Sequence, residues 1–468
     1  MFVKQLYTGC LSEAAYFIES DGEAAIIDPL RDIDAYLELA RGKKATIKYI
    51  FETHFHADFV SGHLDLHKAT NAPIVYGPDT ETNFPIHLAT DGEEFRIGRL
   101  TLKVLHTPGH TLESSCYLLK DELGQDYALF TGDTLFVGDV GRPDLSSGNL
   151  SQEELAGMLY DSIQRQIMPL KDDVIVYPAH GQGSSCGKNL GPDTNSTIGE
   201  QRQTNYALQI EDKTAFITAV THGLDEPPNY FPINARINKE GYDSLDSVLD
   251  AGLRALDVAA FKGSMKETGT IVLDTRQPAA FSASFIPTSI NIGLEGRFAE
   301  WAGSLMPFDK PVLLVTDPGQ EKEAIVRLAR VGFSRIKGFL AGGFEAWRNA
   351  GEQFDLVISI APDELAMDIP HDPNLVLIDV RRETEYGDGH IDKALNIPLD
   401  ELTDPGTLAD FEENYNIYLY CGSGYRSMIA ASLFKRQGFH NLRNVEGGFE
   451  KIREQKTIPI VKENSVLN

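Results

Sequence analysis

Two short segments carry side chains whose types and spacing suit chemistry. The first is THFHADFVSGH at 53–63, where His54, His56 and Asp58 fall within five residues, close enough to converge on one cation. Three more ligand-type residues follow at wider intervals: His110 in HTPGHT, Asp133 in FTGDT and His180 in YPAHG. His and Asp also serve as turn formers and helix caps, and Asp58 alone reads either way. Six of them together point to a metal site. The second segment is Cys421-Gly-Ser-Gly-Tyr-Arg426-Ser. A strand, a glycine-rich turn and a helix N-terminus would aim the backbone N–H groups of Gly422, Ser423, Gly424, Tyr425 and Ser427 at an atom on the sulfur. Arg426 adds a positive charge. Such a cradle favours the thiolate and stabilises an anionic persulfide on Cys421, and glycines at 422 and 424 let the backbone curl around it.

The elements that must position these groups are legible as apolar runs. AAIID (24–28), IKYIF (47–51), LTLKVL (100–105), YALFTG (127–132) and VIVYPAH (174–180) read as short buried strands, most of them ending in a polar cluster with His or Asp. Open α/β layers gather functional groups at strand carboxyl ends, so residues far apart in sequence can share one pocket. The stretch 184–243, rich in Gly, Pro and Asn, reads as a long loop with some helix around 196–220, then an extended linker closing the first domain near 250. Farther on, the chain repeats itself. LDTRQPAAFSASFIPTSINIGL (273–294) aligns with IDVRRETEYGDGHIDKALNIPL (378–399) at an offset of 105, with six of 22 positions identical, and GGFE returns at 342–345 and 447–450 with the same offset. A period one domain long marks a duplicated domain, not a solenoid. Its strands alternate with helices, which predicts a parallel sheet covered on both faces. The domains are therefore expected at 1–250, 251–355 and 356–468.

Composition bounds the function. With 42 Lys and Arg against 69 Asp and Glu, the net charge is −27, which repels phosphate backbones and anionic lipid, so neither nucleic acid nor a membrane surface is an expected partner. The chain has no apolar run of the roughly 18 residues that span a bilayer, and its start lacks the pattern of a signal peptide. Four scattered cysteines cannot form a disulfide framework. A cytoplasmic setting with free thiols follows; oligomeric state, a homo-oligomer included, stays open. Cys10 and Cys116 sit in apolar strand-like contexts and are expected to be buried. His63 and His67, four apart, are expected on an ordinary helix surface.

Residues 1 to about 250 resemble the metallo-β-lactamase superfamily, whose pattern is HxHxDH, a His after a strand, GD and a final His. The resemblance implies an αββα sandwich with metal at one edge of the two sheets. One departure matters: Phe59 stands where binuclear hydrolases carry a second-site His, which favours a single ion. HADFVSG, HTPGHT, GDTLFVGDVGRPDL and YPAHG look most like the persulfide dioxygenases. That resemblance implies Fe(II), one per chain, on His54, His110 and Asp133, with His56, Asp58 and His180 orienting ligands and solvent; zinc is the alternative. Arg142 either pairs with Asp144 to brace its loop or reaches a substrate carboxylate. Cys186 either accepts sulfur or fills a turn.

Residues 356–468 resemble rhodanese sulfurtransferases through IDVRRETEYGDGHIDKALNIPL, CGSGYRS and GGFE. Cysteine phosphatases place five residues between Cys and Arg, whereas four separate Cys421 from Arg426, a tighter loop that suits one sulfur atom. In the earlier copy Thr316 stands opposite Cys421 and Glu321 opposite Arg426, so residues 251–355 form a rhodanese-like domain without the nucleophile. The whole chain thus resembles persulfide dioxygenase–rhodanese fusions. What this implies is oxidation of a thiol persulfide by O2 to sulfite and thiol, with sulfite then taking the Cys421 sulfur to give thiosulfate. The rivals are a mononuclear zinc thioester hydrolase of glyoxalase II type fused to a sulfurtransferase, and a non-catalytic persulfide sensor or scaffold.

Overall fold

A computed structural model describes residues 1–145, 150–409, 411–412 and 414–463. Contacts divide the chain into two compact units, Met1–Ser247 with Val326–Ser334, and Val248–Ile325 with Arg335–Asn468. The first unit is an αββα sandwich. Its first six strands, from Phe2–Thr8 to His87–Leu88, make one sheet in sequence order, and the next six, from Glu94–Ile97 to Ser196–Thr197, make the other. Alternation decides what fills the space between the sheets. Tyr16, Ile18, Ile27 and Phe51 from one sheet meet Leu102, Val104, Tyr117 and Phe130 from the other in a shared core. The opposite sheet faces pack under helices: Tyr36, Ala40 and Leu66 on one side, Leu159, Phe216 and Val220 on the other. The predicted strands all form, and the residues just past their carboxyl ends line one edge of the sandwich.

The expected extended linker before residue 250 is instead helical, with helices at Phe231–Glu240 and Leu245–Gly252. The reason it escapes a periodicity reading is chemical. The buried face of the first helix carries Phe231, Asn234 and Asn238, spaced three and four apart, so the helical spacing is present but two of its inward positions are polar.

The second unit holds two five-stranded sheets of identical order, and every pairing in them is parallel. The sequence repeat has a structural cause. Asp274 takes the guanidinium of Arg276 as Asp379 takes that of Arg381, with the closest contact 2.6 Å in both copies. Each Arg then lies over the Phe of its GGFE motif, Phe344 at 4.3 Å and Phe449 at 4.0 Å. Among the described residues no helix is long and apolar enough to cross a membrane.

Candidate metal centre and cysteine loop

Three strands deliver the first set of candidate ligands: His54 follows Thr46–Phe51, His110 follows Leu100–His106 and Asp133 follows Asp126–Gly132. Asp133 Oδ2 lies 3.7 Å from His54 Nε2 and 3.4 Å from His110 Nε2, and it is buried without a hydrogen-bond partner. Two atoms each about 2.1 Å from one ion can stand no more than about 4.2 Å apart, so this spacing allows a common cation. The tautomers agree. Thr53 donates its hydroxyl to Asp28, so its lone pair accepts from His54 Nδ1 at 2.9 Å; the Arg142 carbonyl accepts from His110 Nδ1 at 2.8 Å. Both Nε2 atoms are left with lone pairs aimed at the carboxylate. Burial, with His56 beside it, pushes the His54 imidazole well below its usual range, which keeps it neutral. Burial alone would raise the Asp133 carboxyl, but His180 and His54 outweigh it and hold it well below the usual carboxylate range. Two imidazoles and one carboxylate converging in this way fit a metal ion. Close packing requires Gly141, where a Cβ would meet the Asp133 carbonyl at 1.9 Å.

Of the other three candidates, His180 is hydrogen-bonded at both nitrogens, whereas His56 Nδ1 and Nε2 and Asp58 Oδ1 are buried without a hydrogen-bond partner. His180 donates to Asp133 Oδ1 at 2.7 Å and to Asp58 Oδ2 at 2.9 Å. Burial works against its charge, yet the two carboxylates push its pKa well above the usual value. His56 Nε2 points at Asp28, 3.2 Å away, and at Glu52, 3.7 Å away, while its ring stacks on Phe59 at 4.3 Å. Ligand atoms of His56, Asp58 and His180 also lie within 4.8 Å of one another, a second group that could hold a metal ion. Phe59 therefore does more than withhold a ligand: it packs against His56 beside Asp28 and Glu52. Glu52, unremarked in the sequence, is fully buried, and desolvation with Asp28 nearby pushes its carboxyl well up, toward the neutral form.

Several expectations need correction. His63 is not a surface residue; it is fully buried, 3.3 Å from Glu52, because its helix packs that face against the sheet, while His67 is half-buried and bonds the Ala72 carbonyl. Cys10 is half-buried in a turn, whereas Cys116 is buried as expected. Asn238, on the helix that replaces the linker, donates to the carbonyls of His56 and Phe59 at 2.8 Å and accepts from Ser61 N–H at 2.9 Å, tying down the HxHxD loop. Arg142 braces its loop. Its guanidinium grips Asp144 at 2.6 and 2.7 Å and donates to the carbonyls of Ser185 and Asp225. Arg142→Met should cost about 2–3 kcal/mol in denaturant unfolding, because Asp144 and two carbonyls lose a charged donor. Arg142→Lys should recover only part of that loss, lacking the two-pronged geometry. Cys186 does come beside Asp133 and His180, within 4.8 Å. Burial and the Asp58 and Asp133 carboxylates push its thiol well up, however, which disfavours the thiolate that sulfur acceptance needs.

In the second unit, the strand Asn416–Tyr420 runs into Cys421, which is 1% exposed. Gly424, at φ 107°, donates its N–H to the sulfur at 3.1 Å, and the helix Tyr425–Arg436 begins directly after it, leaving the N–H groups of its first turn without intrahelical acceptors. The closing GGFE motif pins the loop from behind. Phe449 N–H donates to the Cys421 carbonyl at 2.6 Å, an approach that only glycine at 448 permits, since a Cβ there would sit 2.3 Å from the same oxygen. Arg426 does not present a bare charge: it pairs with Glu385 at 2.6 and 2.7 Å. Glu385 also accepts the N–H of Arg382, capping its own short helix, and nothing in its spacing advertised the pairing. The Ser427 hydroxyl is spent on Asn444 at 2.6 Å, and the Tyr425 hydroxyl donates to the Gly293 carbonyl, so neither side chain is offered to a ligand. In the earlier copy Val315 pairs with Asp274 as Tyr420 pairs with Asp379, which puts Thr316 in the place of Cys421 and confirms the missing nucleophile.

Comparison with known proteins agrees with this architecture. The metallo-beta-lactamase superfamily pattern matches residues 8–180, and the rhodanese-like domain matches twice, at 257–350 and 361–455. A metallo-beta-lactamase structure from Staphylococcus aureus subsp. aureus COL is 33% identical, covering 73% of this chain and 98% of that one, with a TM-score of 0.65. The hydroxyacylglutathione hydrolase of Marinomonas sp. (strain MWYL1) is 32% identical over 198 residues, 42% of this chain and 71% of that one. An ETHE1 structure from Myxococcus xanthus is 30% identical over 51% of this chain and all of that one, with a TM-score of 0.43, too partial a likeness to carry weight. The chain belongs to the metallo-β-lactamase superfamily, and behind its metal-binding domain it carries two rhodanese-like domains in tandem.

Proposed function

We propose that the protein is an iron persulfide dioxygenase joined to a sulfurtransferase. The observation that carries this reading is the division of labour among six ligand-type residues. His54 and His110 bring Nε2 to 3.7 and 3.4 Å from Asp133 Oδ2 with each Nδ1 already hydrogen-bonded, while His180 is held at both nitrogens by carboxylates and His56 stacks on Phe59 3.2 Å from Asp28. Two imidazoles and one carboxylate suit a single Fe(II), which would supply open positions for a persulfide sulfur and for O2 and the electron transfer that lets them react. The overall balance is RSSH + O2 + H2O giving RSH, sulfite and two protons, the outer sulfur losing four electrons to O2. The chain's own residues orient: Thr53 and the Arg142 carbonyl set the imidazole tautomers, and His180 turns Asp133 so that Oδ2 faces inward.

At the second site, the Cys421 thiolate attacks the outer sulfur of a persulfide, releasing RS⁻ and leaving a Cys421 persulfide beside the Gly424 N–H. Sulfite attacks that sulfur, forming thiosulfate and restoring the thiolate. One tether raises the effective concentration of the two sites for each other. Four unpaired cysteines suit a cytoplasmic setting.

The hydroxyacylglutathione hydrolases among the relatives favour a second reading, thioester hydrolysis at zinc. Elemental analysis of the purified chain with an oxygen electrode separates the two. The dioxygenase reading expects about one iron per chain, on the facial-triad precedent, and O2 uptake on glutathione persulfide. One zinc with hydrolysis of a glutathione thioester and no O2 uptake would establish the second reading, and two ions per chain would overturn the single-site account. Iron without turnover on any persulfide would leave a sensor.

A further inference from the structure

The rhodanese-like domain without a cysteine keeps its full Asp–Arg–Asn bracket. Asn291 donates to the carbonyls of Asp274 and Arg276 at 3.0 and 2.9 Å, as Asn396 does to those of Asp379 and Arg381. With no nucleophile to serve, that bracket holds the segment 291–296. Ile292 N–H and Leu294 N–H bond back to the Asp274 and Thr275 carbonyls, which fixes the Gly293 carbonyl between them. Tyr425, the first residue of the helix behind Cys421, donates its hydroxyl to that carbonyl at 2.7 Å. Its ring edge seats on the same segment, 3.3 Å from where a Cβ of residue 293 would stand and 3.9 Å from one at 296. Two turns along the same helix face, the Ser432 hydroxyl accepts the Asn291 N–H at 3.0 Å. The contact is not part of the repeat itself, since Gln320 and Pro398 occupy the places equivalent to Tyr425 and Gly293.

We propose that Tyr425 is a positioning residue through which the cysteine-less domain aligns the Cys421 cradle. The Gly424 N–H on the sulfur and the first-turn N–H groups of the helix belong to the segment that Tyr425 anchors, so their aim is set from the neighbouring domain. This rests on the reading of Cys421 as the sulfur carrier. Preorganised donors around a small anion lose effect when displaced by fractions of an ångström.

The test uses the full-length chain with Tyr425→Phe, which keeps the ring, and Gly293→Ala, which disturbs the same contact from the other side. Sulfur transfer from thiosulfate to cyanide should lose about three- to tenfold in kcat with KM little changed, the size of one hydrogen bond. The pH profile of Cys421 alkylation, followed on its peptide by mass spectrometry, should move toward higher pH in both variants. Melting temperature should fall by no more than about a few degrees, as one lost hydrogen bond allows, and persulfide-dependent O2 uptake should stay at the wild-type value. A wild-type kcat and alkylation profile in Tyr425→Phe would overturn the proposal, as would losses that track a lowered melting temperature. If the wild-type chain transfers no sulfur, the carrier reading fails, and the alkylation profile still decides whether Tyr425 positions the thiol.

Discussion

Asp133→Asn should take up no O2 while still transferring sulfur through Cys421. Its metal affinity should fall by more than the roughly hundredfold that loss of a supporting residue alone can cost. The carboxylate is the only anion in the trio, and its Oδ2 is buried with no partner, 3.4 Å from His110 Nε2. An amide of the same shape is neutral and a poor donor to a hard divalent ion. It also half-dismantles the arrangement around His180, which would keep Asp58 at 2.9 Å but lose a full counter-charge on its other nitrogen. Part of the effect is therefore on stability. The intact sulfur transfer of the second unit and an unfolding curve serve as controls. Metal bound at wild-type stoichiometry, with O2 uptake above about a tenth of wild type, the loss of only some 1.4 kcal/mol, would show that Asp133 is not a ligand.

Cys421→Ser should do the converse. Sulfur transfer falls at least about a thousandfold, as when a nucleophile is removed outright, while O2 uptake persists and the product changes from thiosulfate to sulfite. Two of the three other thiols are poor substitutes. Burial pushes Cys116 up to about 11 and raises Cys186 well above its usual value, so both remain S–H. Serine in the same cradle keeps the Gly424 contact but cannot carry a sulfane sulfur. Thiosulfate yield unchanged in this variant would end the coupling of the two sites, leaving two independent activities on one chain.

The contrast between His54 and His56 shows where a sequence reading stops. Both belong to one motif, two residues apart, and nothing in their spacing separates a ligand from a helper. They are told apart by partners 25 or more positions away or brought close by a turn: Asp28 and Thr53 for the tautomer of His54, Asp28, Glu52 and the Phe59 ring for the orientation of His56. Asn238 hid for a related reason, since a helix that buries asparagine gives no apolar rhythm. Arg142 could be narrowed only to two roles, because the carbonyls of Ser185 and Asp225 that settle it belong to loops whose paths no local pattern specifies.

By itself the amino-acid sequence determined the strands and the ligand types at their ends, the duplication at an offset of 105, the absence of a nucleophile from the earlier copy and the four-residue spacing of Cys421 from Arg426. These are local properties, written by backbone sterics, side-chain periodicity and the number of residues in a turn. Only the tertiary structure decided that His54, His110 and Asp133 converge while carboxylates hold both nitrogens of His180, that Cys186 is held protonated beside Asp133, that Arg426 shares its charge with Glu385, and that Tyr425 reaches across to Gly293. Each of those depends on burial and on contacts between distant segments, and the desolvation that sets their chemistry exists only once the chain has packed.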